Sequence, residues 1–97
     1  MKKLHITSVS HLEDLFREKS VDMTNNIRNS IQEAIEQNKK TALLFEVEAE
    51  GLDSIFEISI TSKEFETALK NCLKHYQEWE MYDDEIDTWQ LLEKLKL

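Results

Sequence analysis

Cys72 and His75 stand three apart in a helical pattern, and Asp83, Glu85 and Asp87 alternate over five positions. Glu46 and Glu57 face each other if the segment between them folds back on itself. Each pattern points to a chemistry: a zinc pair or an activated thiol, a calcium loop, and paired carboxylates for acid–base work. None is completed. Asp83, Glu85 and Asp87 take the first three ligand positions of a calcium loop, but Thr88 replaces its glycine and Lys94 its closing glutamate. His5 and His11 lie too far off to complete a zinc set with Cys72 and His75, and Cys72 falls on an apolar stripe where a thiol is buried and inert. A solvated strand face accounts for Glu46 and Glu57 better than catalysis does, because a general acid needs burial to raise its pKa. No glycine-framed nucleophile or phosphate-cradling glycine loop is present. The expectation is a non-enzyme with no metal and no cofactor.

Two acidic regions remain. Residues 78–87 hold six carboxylates, and both tryptophans and both tyrosines lie between Tyr76 and Trp89. One reading packs the aromatics inward and leaves the acids to decorate a helix turn. The other is a contact surface for a basic protein groove, with Trp79 and Tyr82 as anchors ringed by Glu78, Glu80, Asp83, Asp84, Glu85 and Asp87. The second region is an outer hairpin face and tip, with Glu46, Glu48, Glu50, Asp53 and Glu57 around Leu44, Leu52 and Ile55. Solvated strand faces carry charge too, but like charges directly opposed, as at Glu46 and Glu57, are unfavourable. A cation from a partner would relieve that cost.

The elements that must position these groups are organised around TALLFEVEAEGLDSIFEISI, residues 41–60. Two alternating apolar runs flank the chain's only glycine, Gly51, which predicts a β-hairpin with its loop at 50–53. The register that keeps one face apolar pairs Ala49 with Ser54, Val47 with Phe56, Phe45 with Ile58 and Leu43 with Ile60. The other face sets Glu48 against Ile55, Glu46 against Glu57 and Leu44 against Ser59. Before it, Leu4 and Ile6 suggest an edge strand, and Ser10 to Glu13 fit a capping box. Leu12, Leu15, Phe16, Met23, Ile27, Ile31, Ala34 and Ile35 then predict two helices, roughly 10–19 and 22–39, with one continuous helix as the alternative. After it, Thr61 to Glu64 form a second capping box, stapled by Ile60 and Phe65. The stripe Phe65, Ala68, Leu69, Cys72, Leu73, Tyr76, Trp79 predicts a helix to about residue 80. A bend at 81–84, with Asp83 or Asp84 as cap, leads to a shorter helix whose stripe is Ile86, Trp89, Leu92 and Leu95.

A chain of 97 residues with 40% hydrophobic and 33% charged composition suits one soluble domain. No proline and one glycine favour long regular elements. No stretch resembles a signal peptide or approaches the roughly 18 apolar residues of a membrane span, and one cysteine allows no internal disulfide. A cytoplasmic location is expected. The net charge of −8 is uneven: residues 1–40 are nearly balanced, while residues 41–97 set five lysines against fourteen carboxylates. Direct nucleic-acid or anionic-membrane binding is therefore disfavoured, and a basic partner is favoured.

The last stretch, LKNCLKHYQEWEMYDDEIDTWQLLEKLKL, resembles the UVR interaction motif of excision-repair proteins, a helical hairpin that pairs with another copy. Glu85-Ile86-Asp87 stand where that motif has small residues. In size, acidity and helix–hairpin–helix order the chain is also similar to small phage-encoded inhibitors, of the anti-restriction and type II-A anti-CRISPR kind. These present carboxylates where nucleic-acid phosphates would bind. That resemblance implies an inhibitor of a basic nucleic-acid-binding cleft, with Glu46, Glu48, Glu50, Asp53, Glu78, Glu80, Asp83, Asp84, Glu85 and Asp87 as contacts.

The expected fold is α+β: an N-terminal helix or helix pair, an antiparallel hairpin, a long helix and a short C-terminal helix. The helices should cover the Leu43, Phe45, Val47, Phe56, Ile58 and Ile60 face. The expected function is a non-enzymatic acidic protein-binding module. The alternative is a structural or assembly protein acting as a homo-oligomer, such as a homodimer, through a hairpin strand, both being candidate sheet edges, or through the terminal aromatic helix; a small enzyme comes third.

Overall fold

A computed structural model describes residues 2–6, 21–49 and 55–96. The expected helix at 10–19 with its Ser10 cap lies outside the described residues, as do the Ala49–Ser54 pair and the hairpin tip with Glu50, Leu52 and Asp53. In chain order the elements are β1 (Lys2–Ile6), α1 (Val21–Glu36), β2 (Thr41–Ala49), β3 (Ile55–Thr61), α2 (Ser62–Glu78) and α3 (Tyr82–Leu95). This is the expected α+β order, preceded by the short strand. β1 runs parallel to β2, with Lys2 beside Phe45 and Ile6 beside Ala49. β2 is thus the central strand of a sheet ordered β1-β2-β3, which corrects the expectation that both hairpin strands are edges. A parallel neighbour demands a crossover connection, and α1 lies within it.

The hairpin register holds from Phe45 onward: Phe45 faces Ile58, Glu46 faces Glu57, Val47 faces Phe56 and Glu48 faces Ile55. Toward the open end it differs. Leu44 is an extra residue on β2, so Leu43 faces Ser59 and Ala42 faces Ile60. Strict alternation cannot bury both Leu44 and Phe45, whereas a β-bulge turns both inward. Burying one more leucine is worth about 1.5–3 kcal/mol, more than the net ~1 kcal/mol of a disrupted ladder bond. The Leu44 carbonyl is also satisfied from the helix layer, accepting from Asn26 Nδ2 at 2.6 Å.

The helices cover one face of the sheet. Met23, Ile31 and Ala34 of α1 and Phe65, Leu69 and Leu73 of α2 pack with Ala42, Leu44, Phe45 and Val47 in one buried cluster, which Leu91 and Leu92 of α3 join. Two residues depart from the expected cover: the bulge turns Leu43 to the other face, opposite Ser59, and Phe56 shares the face of Val47 but is 50% exposed. α1 ends at Glu36, so Lys39 and Lys40 lie beyond it. It closes with Lys39 N–H donating to the Ala34 carbonyl (2.8 Å) and Asn38 N–H to that of Ile35 (3.1 Å), Asn38 being left-handed at φ 55°. α2 closes in the same way, from Met81 to Tyr76 (2.9 Å) and Glu80 to Gln77 (3.2 Å), with Glu80 at φ 56°. Thr61 is the N-cap of α2, but the reciprocal bonds of a capping box do not form. Its hydroxyl donates to the Glu64 carboxylate at 3.3 Å. Met81, not Asp83 or Asp84, caps α3, and the two aspartates sit in its first turn. Among the described residues, no helix is long and apolar enough to cross a membrane.

Candidate functional site

A polar seam holds the three helices together, and it takes up several groups that the sequence suggested for chemistry or contact. Arg28 on α1 donates to Asp84 of α3 at 2.5 Å and stacks over the Tyr76 ring of α2, 5.2 Å from its centroid. The Tyr76 hydroxyl donates to Asn25 Oδ1 at 2.6 Å. Cys72 Sγ donates to the Thr24 carbonyl at 3.7 Å, and Thr24 Oγ1 lies 3.2 Å from His75 Nδ1. Burial pushes the Cys72 thiol up to about 11 and the Tyr76 phenol up to about 12, the Arg28 charge only partly opposing each. A thiol held protonated at neutral pH is a poor nucleophile. The seam packs the three helices against one another. Among the described residues, no group of three or more His, Cys, Asp or Glu could hold a metal ion.

The seam engages part of the expected acidic contact set within the protein. Asp84 is paired and half-buried, and Glu85 is half-buried and accepts from Gln77 Nε2 at 3.2 Å. Trp79 is half-buried against the rings of His75 and Tyr76, at 5.5 and 6.3 Å between centroids. Glu80, Tyr82, Asp83 and Asp87 are exposed, and so is Glu78, which is already engaged within the protein.

Ile86 and Trp89 are the residues that sequence reasoning misplaced. Expected on the inward stripe of α3, they are 54% and 46% exposed, in line with Tyr82 at 63%. The buried residues are Thr88, Leu91 and Leu92, and the Thr88 hydroxyl returns to the Asp84 carbonyl at 2.7 Å. Each step of three residues falls about 60° short of a full turn, so Ile86, Trp89, Leu92 and Leu95 drift halfway round the helix. Spacings of four and three, by contrast, keep Tyr82, Ile86 and Trp89 together. That signal was present in the sequence. The result is an aromatic and aliphatic stripe facing solvent, with the exposed Asp83 and Asp87 along one side of it. Where α2 turns into α3, a concavity of about 350 Å³ is lined by Glu80, Met81, Tyr82, Asp83 and Asp84.

The second expected surface does not merge with the first. Glu46, Glu48 and Glu57 lie on the sheet face away from the helices, whereas α3 belongs to the helix layer. Glu46 and Glu48 are half-buried, and Glu48 is already engaged within the protein. A polar cleft of about 440 Å³ between α1 and the start of β2 is lined by Asn26, Asn29, Ser30, Glu33 and Thr41 among others. Compared with protein-family models, curated proteins and solved structures, the chain matches none.

Proposed function

We propose that the chain is a non-enzymatic protein-binding module whose contact face is the outer side of α3 with the preceding elbow. The observation that carries this reading is the exposed line Tyr82, Ile86 and Trp89. Large apolar side chains grouped on a surface and edged by charge are the ordinary composition of a protein contact, with aromatics as the energetic anchors. Asp83 and Asp87 beside them, in a half of the chain with fourteen carboxylates against five lysines, suit a basic partner. In the form suggested by its resemblance to phage-encoded inhibitors, the module occupies a nucleic-acid-binding cleft in the cytoplasm and mimics phosphates with carboxylates.

The test is capture of proteins from a bacterial lysate on the immobilised chain, challenged with duplex DNA or with salt. A captured protein should be released by both, and the Asp83→Lys/Asp87→Lys variant should lose its capture at low salt. Capture that persists in that variant and resists DNA would contradict the reading.

A further inference from the structure

β3 closes the sheet on the side away from β1, and among the described residues no element pairs with its far side. We propose that this edge pairs antiparallel with the same strand of a second copy, joining two three-stranded sheets about a twofold axis at Ile58. Backbone alternation identifies the free groups. Ser62 N–H donates to the Lys40 carbonyl at 2.7 Å, so the backbone groups of Ile60, Ile58 and Phe56 also point at β2. Those of Glu57 and Ser59 point outward, and both residues are exposed, while Thr61 as N-cap turns its carbonyl into α2. The strand reads IFEISIT, with one charge and no proline, and the bulge of the hairpin lies on β2. The devices that normally blunt an edge are thus nearly absent.

Charge and the half-exposed phenylalanine choose the occupant and the register. An axis at Glu57 would oppose two glutamates, which is unfavourable. An axis at Ser59 would carry Phe56 past the strand to the start of α2. Centred on Ile58, the strand complements itself: Ile58 meets Ile58, Phe56 meets Ile60, and Glu57 meets Ser59 of the second copy. Phe56, 50% exposed on the helix side of the sheet, gains a cover that its own chain does not supply. This surface is separate from the α3 face, so the two proposals fail independently.

Ser59 lies on the helix-free face, beside Leu43, so it can be replaced without disturbing the core. S59K sets a lysine against Glu57 of the second copy twice per dimer, and S59E sets a glutamate there. Sedimentation equilibrium should show a reversible wild-type dimer, several-fold tighter for S59K and several-fold weaker for S59E, with unchanged circular dichroism. If either variant loses its fold, F56S takes its place, with weaker association expected. Wild type and S59K both monomeric at about 0.5 mM would overturn the proposal, since that bounds any dissociation constant well above the micromolar range. Equal affinity in wild type, S59K and S59E, or in wild type and F56S, would overturn it as well, placing the contact on another surface.

Discussion

Glu80 occupies a left-handed backbone position that glycine would fill without strain, in a chain whose single glycine is at 51. A non-glycine residue there costs roughly 1–2 kcal/mol, so Glu80→Gly should raise stability by about 1 kcal/mol once the looser unfolded chain is counted. Urea melts measure this, and an unchanged or lower midpoint would contradict the strain. Burial raises the Cys72 thiol from 9.0 to about 11, so the unfolded chain loses that proton first as pH rises. The stability tied to it is present below pH 9 and lost as pH climbs to about 11, a loss of order 2–3 kcal/mol that Cys72→Ala should remove. Equilibrium unfolding across that interval gives the slope. Phe45 is fully buried, and Phe45→Ala should cost about 3–5 kcal/mol in denaturant melts. A change under about 0.5 kcal/mol would be that of a surface site.

At the scale of elements, α3 joins a structural acid to free ones. Asp84 answers the largely buried Arg28, whereas Asp83 one residue earlier is exposed. Removing one partner of a buried pair strands the other charge, so Asp84→Ala should destabilise by about 2–3 kcal/mol, with partial exposure reducing the full effect. Asp83→Ala should stay within about 0.5 kcal/mol. Equal melting temperatures for the two variants would refute the seam. This distinction was not legible in the run EMYDDEID, because nothing in it shows that Arg28, more than fifty residues earlier, reaches Asp84. Helix α2 was legible, since Phe65, Leu69, Cys72, Leu73 and Tyr76 repeat at three and four. So was the hairpin register near Phe45, where only one slip keeps its partners apolar. The bulge at Leu44 was not, because TALLF offers two adjacent large residues and only tertiary packing decides that both turn inward. β1 was legible as a strand but not as the neighbour that makes β2 central. The inward phase of α3 was misread because steps of three drift round a helix.

In the whole molecule the surplus negative charge is divided between two faces, with a helix layer and a sheet between them. Among the described residues the α3 face groups three large exposed side chains, Tyr82, Ile86 and Trp89, with its carboxylates, whereas the acidic sheet face carries Ile55 alone. Apolar anchors set how long a complex lasts, while charges at the rim set how fast it forms and how salt weakens it. The most direct measurement compares three variants for capture of the same lysate protein: Ile86→Ser/Trp89→Ser, Asp83→Lys/Asp87→Lys, and Glu33→Lys/Glu36→Lys on the exposed side of α1. The first should lose capture at every salt concentration. The second should lose it most completely at low salt, where the wild type binds best. The α1 variant should behave as wild type, and all three should melt as the wild type does. Wild-type capture by the Ile86/Trp89 variant, or loss of capture in the α1 variant alone, would contradict the assignment of the contact to α3.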